Sequence, residues 1–282
     1  MCIFFYESKM IKTNKINNEK VDPYWAKGED KPVRKEHALI TEEPYLNIIA
    51  CAPVKSGKTT ALFHLILRNF MTKDTKLVIF SPSIGGDEKN SNAIEAIRSK
   101  FNPKPKKSKD NTKVNSRNNW DRVILHRKFV DGEGEENMLL KELDEAQDQH
   151  KGYSEDNPHP YSYPQTIMWF DDLGDDEFKS HEIAGLSQTF RHSGILPLYS
   201  SQDWKNFHPK TRNNAGIVLL WKGIPVERLK DIFFDVQPNV TWKDFIKLYN
   251  HATRENKSFL YIDKINKKMR RNLDEELFIK SV

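Results

Sequence analysis

The sequence predicts an α/β fold built on a mostly parallel sheet with helices on both faces. Five apolar runs alternate along the chain with segments whose apolar residues recur at helical spacing. The first run leads through a glycine- and lysine-containing turn into a helical pattern, and the third run ends in two aspartates. Because parallel strands need crossover connections, usually helices, this alternation favours a parallel core. A chain of 282 residues is long enough for one such domain with appendages.

The first predicted unit is a strand followed directly by a helix. The run "YLNIIAC" is continuously apolar, as expected for a strand that is buried on both faces. The segment "KTTALFHLILRNF" then places Leu62, Leu65, Ile66 and Phe70 at helical spacing. A strand, a turn and a helix are therefore expected between Tyr45 and Phe70.

Four further apolar runs predict the other core strands. They are "KLVIFSPS", "TIMWF" from Thr166, "ILPLYSS" from Ile195 and "AGIVLLW" from Ala215. The segments "VERLKDIFFDV" and "WKDFIKLYNHAT" have helical periodicity, and "KSFLYID" predicts one more strand. No internal repeat interrupts this order.

The chain is predicted to divide into an arm, a core and a tail. Residues 1–41 lack a sustained period and are rich in Lys, Asn and Glu, which indicates an N-terminal arm. Residues 42–263 form the predicted core domain, with an insertion at about 100–164 between its second and third strands. The insertion contains a possible short strand, "RVILH", and a helix candidate, "EENMLLKELDEAQDQH". Residues 264–282 are predicted to be a basic tail.

The turn "APVKSGKTT" contains the second half of the phosphate-binding pattern GxxxxGK[ST]. In such a turn, backbone N–H groups at a helix N-terminus face the phosphates, a lysine reaches the terminal phosphates and a hydroxyl binds magnesium. Lys58 and Thr59 occupy the last two positions, and Gly57 permits close approach of the backbone. Ala52 replaces the first glycine, which the turn tolerates if the φ angle of Ala52 is negative. The predicted cofactors are ATP and Mg²⁺, and the predicted phosphate-binding residues are Ala52, Pro53, Val54, Lys55, Ser56, Gly57, Lys58, Thr59 and Thr60.

An acidic pair follows the third predicted strand. In "TIMWFDDLGDDE", Asp171 is suited to the magnesium shell, together with Thr59, and Asp172 is suited to polarising an attacking water. Asp172 is one methylene shorter than a glutamate in this role would be. We predict that Asp171 binds the metal and that Asp172 is catalytic.

Three polar residues flank the last two core strands. Gln202 follows the fourth strand, where its amide could hydrogen-bond both a γ-phosphate and a water molecule. Arg191 lies just before that strand and Arg212 lies on its far side. Either arginine could complete the site of a neighbouring subunit, as a residue supplied in trans.

Net charge, the lengths of the apolar runs and the number of cysteines limit the classes of protein to which this chain could belong. The formal net charge of +5 permits a polyanionic partner without requiring one, and no apolar run is long enough to span a membrane. The two cysteines cannot form a disulfide framework, which indicates a reducing compartment, and Cys51 is expected to be a small buried residue.

Two basic clusters are candidate DNA contacts or solvated surface charge: Lys104, Lys106, Lys107, Lys109, Lys113 and Arg117 in the insertion, and Lys264, Lys267, Lys268, Arg270 and Arg271 in the tail.

The segments "APVKSGKTT", "WFDDLGDD" and "FRHSGILPLYSSQDWKNFHPKTRNNAGIVLLWK" resemble the poxvirus-type genome-packaging ATPases of the HerA/FtsK superfamily. The resemblance covers roughly residues 46–221. It implies a RecA-like P-loop domain that assembles as a ring of five or six subunits and drives double-stranded DNA into a preformed capsid. By matched position, it implies phosphate binding by Lys58, magnesium binding by Thr59 and Asp171, catalysis by Asp172, sensing by Gln202 and a trans-acting arginine at Arg191.

Partners and location follow from the same resemblance. The expected partners are double-stranded DNA bound without sequence preference, capsid vertex proteins and further copies of the chain. The expected location is the cytoplasmic assembly site of an infected cell or the virion, and the sequence shows no signal peptide.

Two other functions remain open from the sequence. A P-loop kinase acting on a nucleotide or small molecule would share the first strand, turn and helix, although the "SSQDW" context argues against it. A non-catalytic DNA-binding or capsid-vertex protein with a relic P-loop is the third possibility, and Ala52 is its only support.

Overall fold

The order of strands and helices follows the predicted alternation. A computed structural model describes residues 10–17, 40, 41, 43, 45–72, 75–84, 92, 94, 95, 98, 122–131, 136–156 and 166–280. The elements are β1 (Met10–Lys15), β2 (Asn47–Cys51), α1 (Lys58–Leu65), β3 (Lys76–Phe80), β4 (Val123–His126), β5 (Val130–Asp131), β6 (Glu136–Asn137), α2 (Met138–Asp156), β7 (Thr166–Asp171), α3 (Asp175–Phe178), α4 (His181–Thr189), β8 (Ile195–Ser201), α5 (Pro209–Asn213), β9 (Ala215–Trp221), α6 (Val226–Val236), α7 (Trp242–Ala252), β10 (Phe259–Asp263), β11 (Lys268–Arg271) and β12 (Glu275–Lys280). A π-helical turn, Ile66–Phe70, extends α1.

Ten of the described strands form one open sheet in the order β1-β12-β11-β10-β9-β2-β8-β7-β3-β4. The strands from β9 to β4 in this order pair in parallel. The strands from β9 to β1 pair in antiparallel fashion. The predicted α/β class with a mostly parallel core is therefore confirmed, and the carboxyl ends of β2, β8, β7 and β3 meet at one edge.

Apolar side chains cover both faces of the sheet. Successive residues of β2 alternate between two buried clusters, with Ile48 and Ala50 in one and Ile49 and Cys51 in the other. Helix α1 packs on the first face, where Phe63 meets Trp169 edge-to-face with ring centroids 4.9 Å apart. Helices α4, α6 and α7 pack on the second face. The two-sided burial explains why the core strands are continuous apolar runs rather than alternating ones.

The two ends of the chain add strands to the sheet, which differs from the predicted arm and tail. Within the region 264–282, β11 and β12 are strands, and β12 pairs with β1 from the N-terminal region. Arg270 and Arg271 are only 8% and 7% exposed. Burial is possible because Arg271 pairs with Glu255 and Glu275, and the Arg270 guanidinium lies 5.0 Å from the Tyr261 ring centroid. These two arginines are therefore structural and do not belong to a free basic surface.

The predicted insertion contributes to the main sheet. The "RVILH" segment forms β4, which pairs in parallel with β3 at the sheet edge. The predicted acidic helix is confirmed as α2, which is tied to the sheet by Lys76: its Nζ donates to Glu142 at 2.6 Å and to Glu145 at 2.8 Å. The basic stretch from Lys104 to Arg117 lies outside the described residues.

Among the described residues, no helix combines the length and the apolar character that crossing a bilayer requires.

Candidate functional site

The phosphate-binding turn lies at the carboxyl edge of the sheet, between the end of β2 and the start of α1. Its first residue is anchored to β8, because the Ala52 N–H donates to the Ser201 carbonyl at 3.1 Å. Gly57 caps α1 in a left-handed conformation, with φ of 91°. Lys55 is also left-handed, with φ of 62°, whereas Ala52 is not among the residues with positive φ. An alanine therefore fits the first position, and the turn forms without a second glycine.

Lys58 begins α1 and its side chain is almost fully buried at this edge. Its Nζ donates to Oδ1 of Asp172 at 2.6 Å and lies 3.9 Å from Oδ1 of Asp171. A buried ammonium is costly unless it is paired, and here it has two carboxylates. The sheet order explains the approach, since only β8 separates β2 from β7.

Asp171 ends β7 and is 1% exposed. The Ser200 hydroxyl donates a short hydrogen bond to its Oδ1, and the Ser81 hydroxyl donates to its Oδ2 at 3.4 Å. Ser200 is itself oriented by the Trp169 Nε1–H, which donates to its Oγ at 2.9 Å. Burial raises the pKa of Asp171 to about 6, although the Lys58 charge lowers it. The carboxylate is thus fixed in place and is ionised at neutral pH. A further positive charge nearby would stabilise its ionised form.

Asp172 has a strained backbone and a more accessible carboxylate. Its φ is 47°, in the left-handed region that only a small share of non-glycine residues adopt. The conformation is held by the Asp172 N–H, which donates to the Ser200 carbonyl at 2.8 Å. Its side chain is 28% exposed, against 2% for Asp171. Strain of this kind is found preferentially at functional sites, and here it turns one carboxylate of the pair away from the strand.

The oxygen donors at this edge fit a magnesium ion shared with a bound phosphate. Thr59 is half-buried in the first turn of α1, and Asp171 offers a carboxylate at the end of β7. No group of three or more His, Cys, Asp or Glu side chains within the described ranges could hold a metal alone. Mg²⁺ requires about six oxygens and usually keeps water and phosphate among its ligands. The residues therefore suit a metal that arrives with a nucleotide.

Gln202 lies between the phosphate-binding turn and the acidic pair, because β8 separates their strands. Its side chain is exposed. Its carbonyl accepts a hydrogen bond from Cys51 Sγ at 3.7 Å. Burial raises the pKa of Cys51 to about 12, so the thiol stays protonated and, as predicted, Cys51 is a buried small residue.

The segment after Gln202 is fastened to α6. Arg228 contacts both carboxylate oxygens of Asp203, with Nε 2.8 Å from Oδ1 and Nη2 3.1 Å from Oδ2. The buried Trp204 donates from Nε1 to Asp235 Oδ2 at 2.7 Å. We call Asp203, Trp204, Arg228 and Asp235 the α6 clamp. No motif in the sequence indicated it, because both helix residues come more than twenty positions after the strand.

The two candidate trans-acting arginines lie at the opposite edge of the sheet. Arg191 and Arg212 precede β8 and β9, so they lie near the amino ends of strands whose carboxyl ends form the site. Arg191 is exposed, and its guanidinium lies over the neighbouring Phe190 ring. Arg212 is 16% exposed in its side chain, and its Nη1 lies 3.3 Å from Asp235 Oδ2. Neither arginine is brought to the phosphate-binding turn of its own chain.

The structure thus brings Lys58, Asp171 and Asp172 together at the N-terminal end of α1. It adds two serines that the sequence did not indicate, Ser81 and Ser200. Each follows or ends an apolar strand, so the only signal was a small hydroxyl residue at the carboxyl end of a core strand.

Comparison with known proteins supports the fold. No protein-family model matches the chain, and no curated protein matches it in sequence. The genome packaging NTPase B204 from Sulfolobus turreted icosahedral virus 2, in complex with sulfate, superposes with a TM-score of 0.52 at 13% identity, over 81% of this chain and 96% of that chain. The AMPPCP complex of B204 gives 0.49 at 15% identity, over 81% and 97%. ATPases 2 and 3 of EssC from Geobacillus thermodenitrificans give 0.49 at 11% identity, over 85% and 40%. The similarity to the sulfate complex of B204 shows that this chain has the fold of P-loop NTPases.

Proposed function

We propose that this chain is an ATP-hydrolysing translocase of double-stranded DNA that packages a viral genome, and that it belongs to the HerA/FtsK superfamily. The observation that carries the proposal is the buried Lys58 ammonium at the start of α1, 2.6 Å from Asp172 and beside Asp171. The fold shared with the B204 genome packaging NTPase supports the same class of function.

The residues of the phosphate-binding turn, from Ala52 to Thr60, would hold the triphosphate of ATP. The N–H groups of the first turn of α1 have no partner within the helix, so they are available to phosphate oxygens. The Thr59 hydroxyl and the Asp171 carboxylate would hold Mg²⁺, which neutralises developing charge on the phosphates. Because these donors are few, we expect metal and nucleotide to bind together.

Asp172 would activate the attacking water. Phosphate oxygens compete with Asp172 for the Lys58 ammonium, so nucleotide binding would draw Lys58 away and release the carboxylate. The freed carboxylate could then accept a proton or hydrogen bond from water. Gln202, which directly follows β8, the strand between the two motifs, would contact the γ-phosphate and report its presence through the α6 clamp.

Arg191 would act on the site of a neighbouring subunit. It is exposed and lies at the edge of the sheet opposite its own phosphate-binding turn. Arg212, the other candidate, is already paired with Asp235. A closed ring of five or six copies would bring one subunit's Arg191 to the next subunit's site.

The DNA interface would rely on contacts to phosphates and not to bases. Lysine and arginine contacts to the backbone grip a duplex without reading sequence, and their strength falls steeply with salt. Lys267 and Lys268 are exposed and remain candidates for such contacts, together with the basic stretch from Lys104 to Arg117. Capsid vertex proteins, and a location in the infected cell or the virion, belong to the same proposal.

A P-loop kinase fits the site less well. Gln202 is held between the turn and the acidic pair by a clamp that leaves an exposed amide there. That arrangement suits water and γ-phosphate, whereas a kinase requires a site for its acceptor. A relic P-loop also fits poorly, since burying the charged pair of Lys58 and Asp171 has a desolvation cost that two apolar residues would avoid.

ATP hydrolysis by the purified chain tests the proposal. We expect turnover to rise when double-stranded DNA of any sequence is added at low salt. Lys58→Ala and Asp172→Asn should each lower turnover by at least about 100-fold, since each removes a charge used in the reaction. Asn also tolerates a left-handed backbone, so Asp172→Asn preserves the fold.

The controls separate the competing functions. Lys230→Ala removes a charge from the exposed face of α6 and should leave turnover unchanged. DNA-independent transfer of phosphate to a small acceptor would support the kinase. Activity of Lys58→Ala equal to that of wild type in hydrolysis and DNA binding would support the relic.

A further inference from the structure

The turn between α7 and β10 lies directly on the phosphate-binding turn. A Cβ atom placed on Gly57 would lie 3.3 Å from both Cβ and Cγ of Lys257 and 3.6 Å from its Cδ. These separations leave no free room for a side chain at Gly57, because the aliphatic part of Lys257 covers the glycine that caps α1. The ammonium is only two bonds beyond Cδ, which keeps it close to the turn.

The α7–β10 turn is held rigidly enough to present this side chain. Glu255 forms an ion pair with the buried Arg271, and the Ser258 hydroxyl donates to the Glu255 carbonyl at 2.7 Å. Lys257 itself has φ of 65°, which fixes its direction relative to the turn. A turn whose backbone is held in place before a ligand arrives loses little entropy when the ligand binds.

Lys257 is available to a ligand. Its side chain is exposed. The carboxylate nearest to it in the sequence, Glu255, is already engaged by Arg271. An ammonium placed over the N-terminal end of α1 adds to the positive potential of that helix end, and such an end attracts anions.

The sheet order places Lys257 on the flank away from the acidic pair. Strand β10 starts beside the carboxyl end of β9, where Phe259 pairs with Trp221. From β2, the strands β9 and β10 lie to one side, and β8 and β7 lie to the other. Lys58 and Asp172 therefore approach Gly57 from one side and Lys257 from the opposite side.

We propose that Lys257 is a second lysine of the nucleotide site, which contacts the phosphate chain of a nucleoside diphosphate or triphosphate on the side nearer the nucleoside. The proposal rests on the proposed function, because it requires that the turn binds a nucleotide. The terminal phosphate faces Lys58 and the acidic pair, so Lys257 faces the phosphates that ADP and ATP share. Lys257 should therefore contribute to the affinity for both nucleotides.

Equilibrium binding of ADP and of ATP in the presence of Mg²⁺ tests this inference. Lys257→Gln should weaken the affinity for ADP and for ATP by a similar factor of about 3- to 10-fold, the loss expected for one partly exposed charge contact. Lys257→Arg keeps the charge and should stay within about 2-fold of wild type. Thermal unfolding of each variant checks that it is folded.

Lys210→Gln is a matched control. Lys210 is also an exposed lysine, but it lies in α5, just before β9 and so at the opposite edge of the sheet. The Lys210→Gln variant should bind both nucleotides as wild type does. If Lys257→Gln is unfolded, Lys257→Gly replaces it, since glycine adopts positive φ readily.

The outcomes distinguish this inference from the proposed function. If Lys58→Ala loses affinity while Lys257→Gln binds ADP and ATP as tightly as wild type, Lys257 does not contact the phosphates. The phosphate-binding turn is then still the nucleotide site. If wild type binds neither nucleotide, or Lys58→Ala binds as wild type does, the proposed function fails and this inference with it.

Discussion

Asp171 shows how a single buried carboxylate links stability to function. It is 1% exposed, and burial raises its pKa from 3.8 to about 6. The folded state therefore binds this proton more tightly than the unfolded chain. The free energy of unfolding should fall as pH rises from about 4 to about 6, and the whole of this loss is present above that range. Metal binding would offset that cost, because it adds positive charge beside Asp171 to that of the Lys58 ammonium.

Asp171→Asn should consequently stabilise the protein without its ligands at neutral pH. Asparagine has nearly the same shape and carries no charge, so the free energy of unfolding should rise by roughly 1–3 kcal/mol at pH 7.5. The gain should shrink as pH falls through 6 and vanish below about pH 3, where Asp171 is protonated in both states. Chemical denaturation of both proteins across this pH range measures the difference.

The control for this prediction is Asp176→Asn, which removes an exposed carboxylate from α3. It should change the free energy of unfolding little at any pH. A destabilisation by Asp171→Asn at pH 7.5, or a difference from wild type that does not depend on pH, would contradict the assigned burial cost.

At the level of residues, the sequence predicted the groups that belong to compact motifs. Lys58, Asp171 and Asp172 follow from short patterns, and the structure places them within ion-pair distance. The partners Ser81 and Ser200 and the position of Lys257 could not be predicted. Their roles depend on which strands are neighbours in the sheet, and one sequence does not specify strand order.

Helix α6 connects the site to the rest of the molecule through one face. Arg228, Asp231 and Asp235 are spaced by three and four positions, so they project from the same side of the helix. Asp231 accepts from Arg228 at 3.1 Å and pairs with Lys205 at 3.3 Å. The segment that follows Gln202 is thus held along two turns of α6.

Arg228→Ala should lower the turnover number more than it lowers stability. The Arg228 and Asp203 side chains are 27% and 44% exposed, and pairs exposed to this degree contribute less than about 1 kcal/mol. Loss of the clamp should leave Gln202 less well positioned and reduce kcat by about 3- to 10-fold, with the KM for ATP little changed. Steady-state kinetics and thermal unfolding measure the two effects.

The Lys230→Ala variant removes a positive charge from the same helix without touching the clamp. If Arg228→Ala and Lys230→Ala have the same kcat, the clamp does not position Gln202. A large fall in stability with unchanged kcat in the remaining folded protein would assign the clamp a purely structural role.

At the level of elements, the parallel core was predictable and the antiparallel extension was only partly so. Continuous apolar runs identify strands such as β2 and β7 because both of their faces are buried. Strands β11 and β12 contain charged residues, and Arg270 and Arg271 resemble a solvated tail in the sequence. They are buried because distant residues, Glu255 and Tyr261, pair with them.

In the whole molecule, the two edges of the sheet have different roles in the proposed motor. The carboxyl edge carries the phosphate-binding turn, the acidic pair and Lys257. The amino edge carries Arg191, exposed and far along the strands from its own site. In a ring, the amino edge of one subunit would then meet the carboxyl edge of the next.

Movement along DNA distinguishes a translocase from other ATPases, and displacement of a third strand from a DNA triplex measures this movement. We expect the protein, with ATP and Mg²⁺, to displace the third strand from duplexes of unrelated sequence, and to fail with a non-hydrolysable ATP analogue. Asp172→Asn should bind the duplex and displace nothing. Displacement that needs no ATP, or ATP hydrolysis by wild type with no displacement on any duplex, would contradict the translocase.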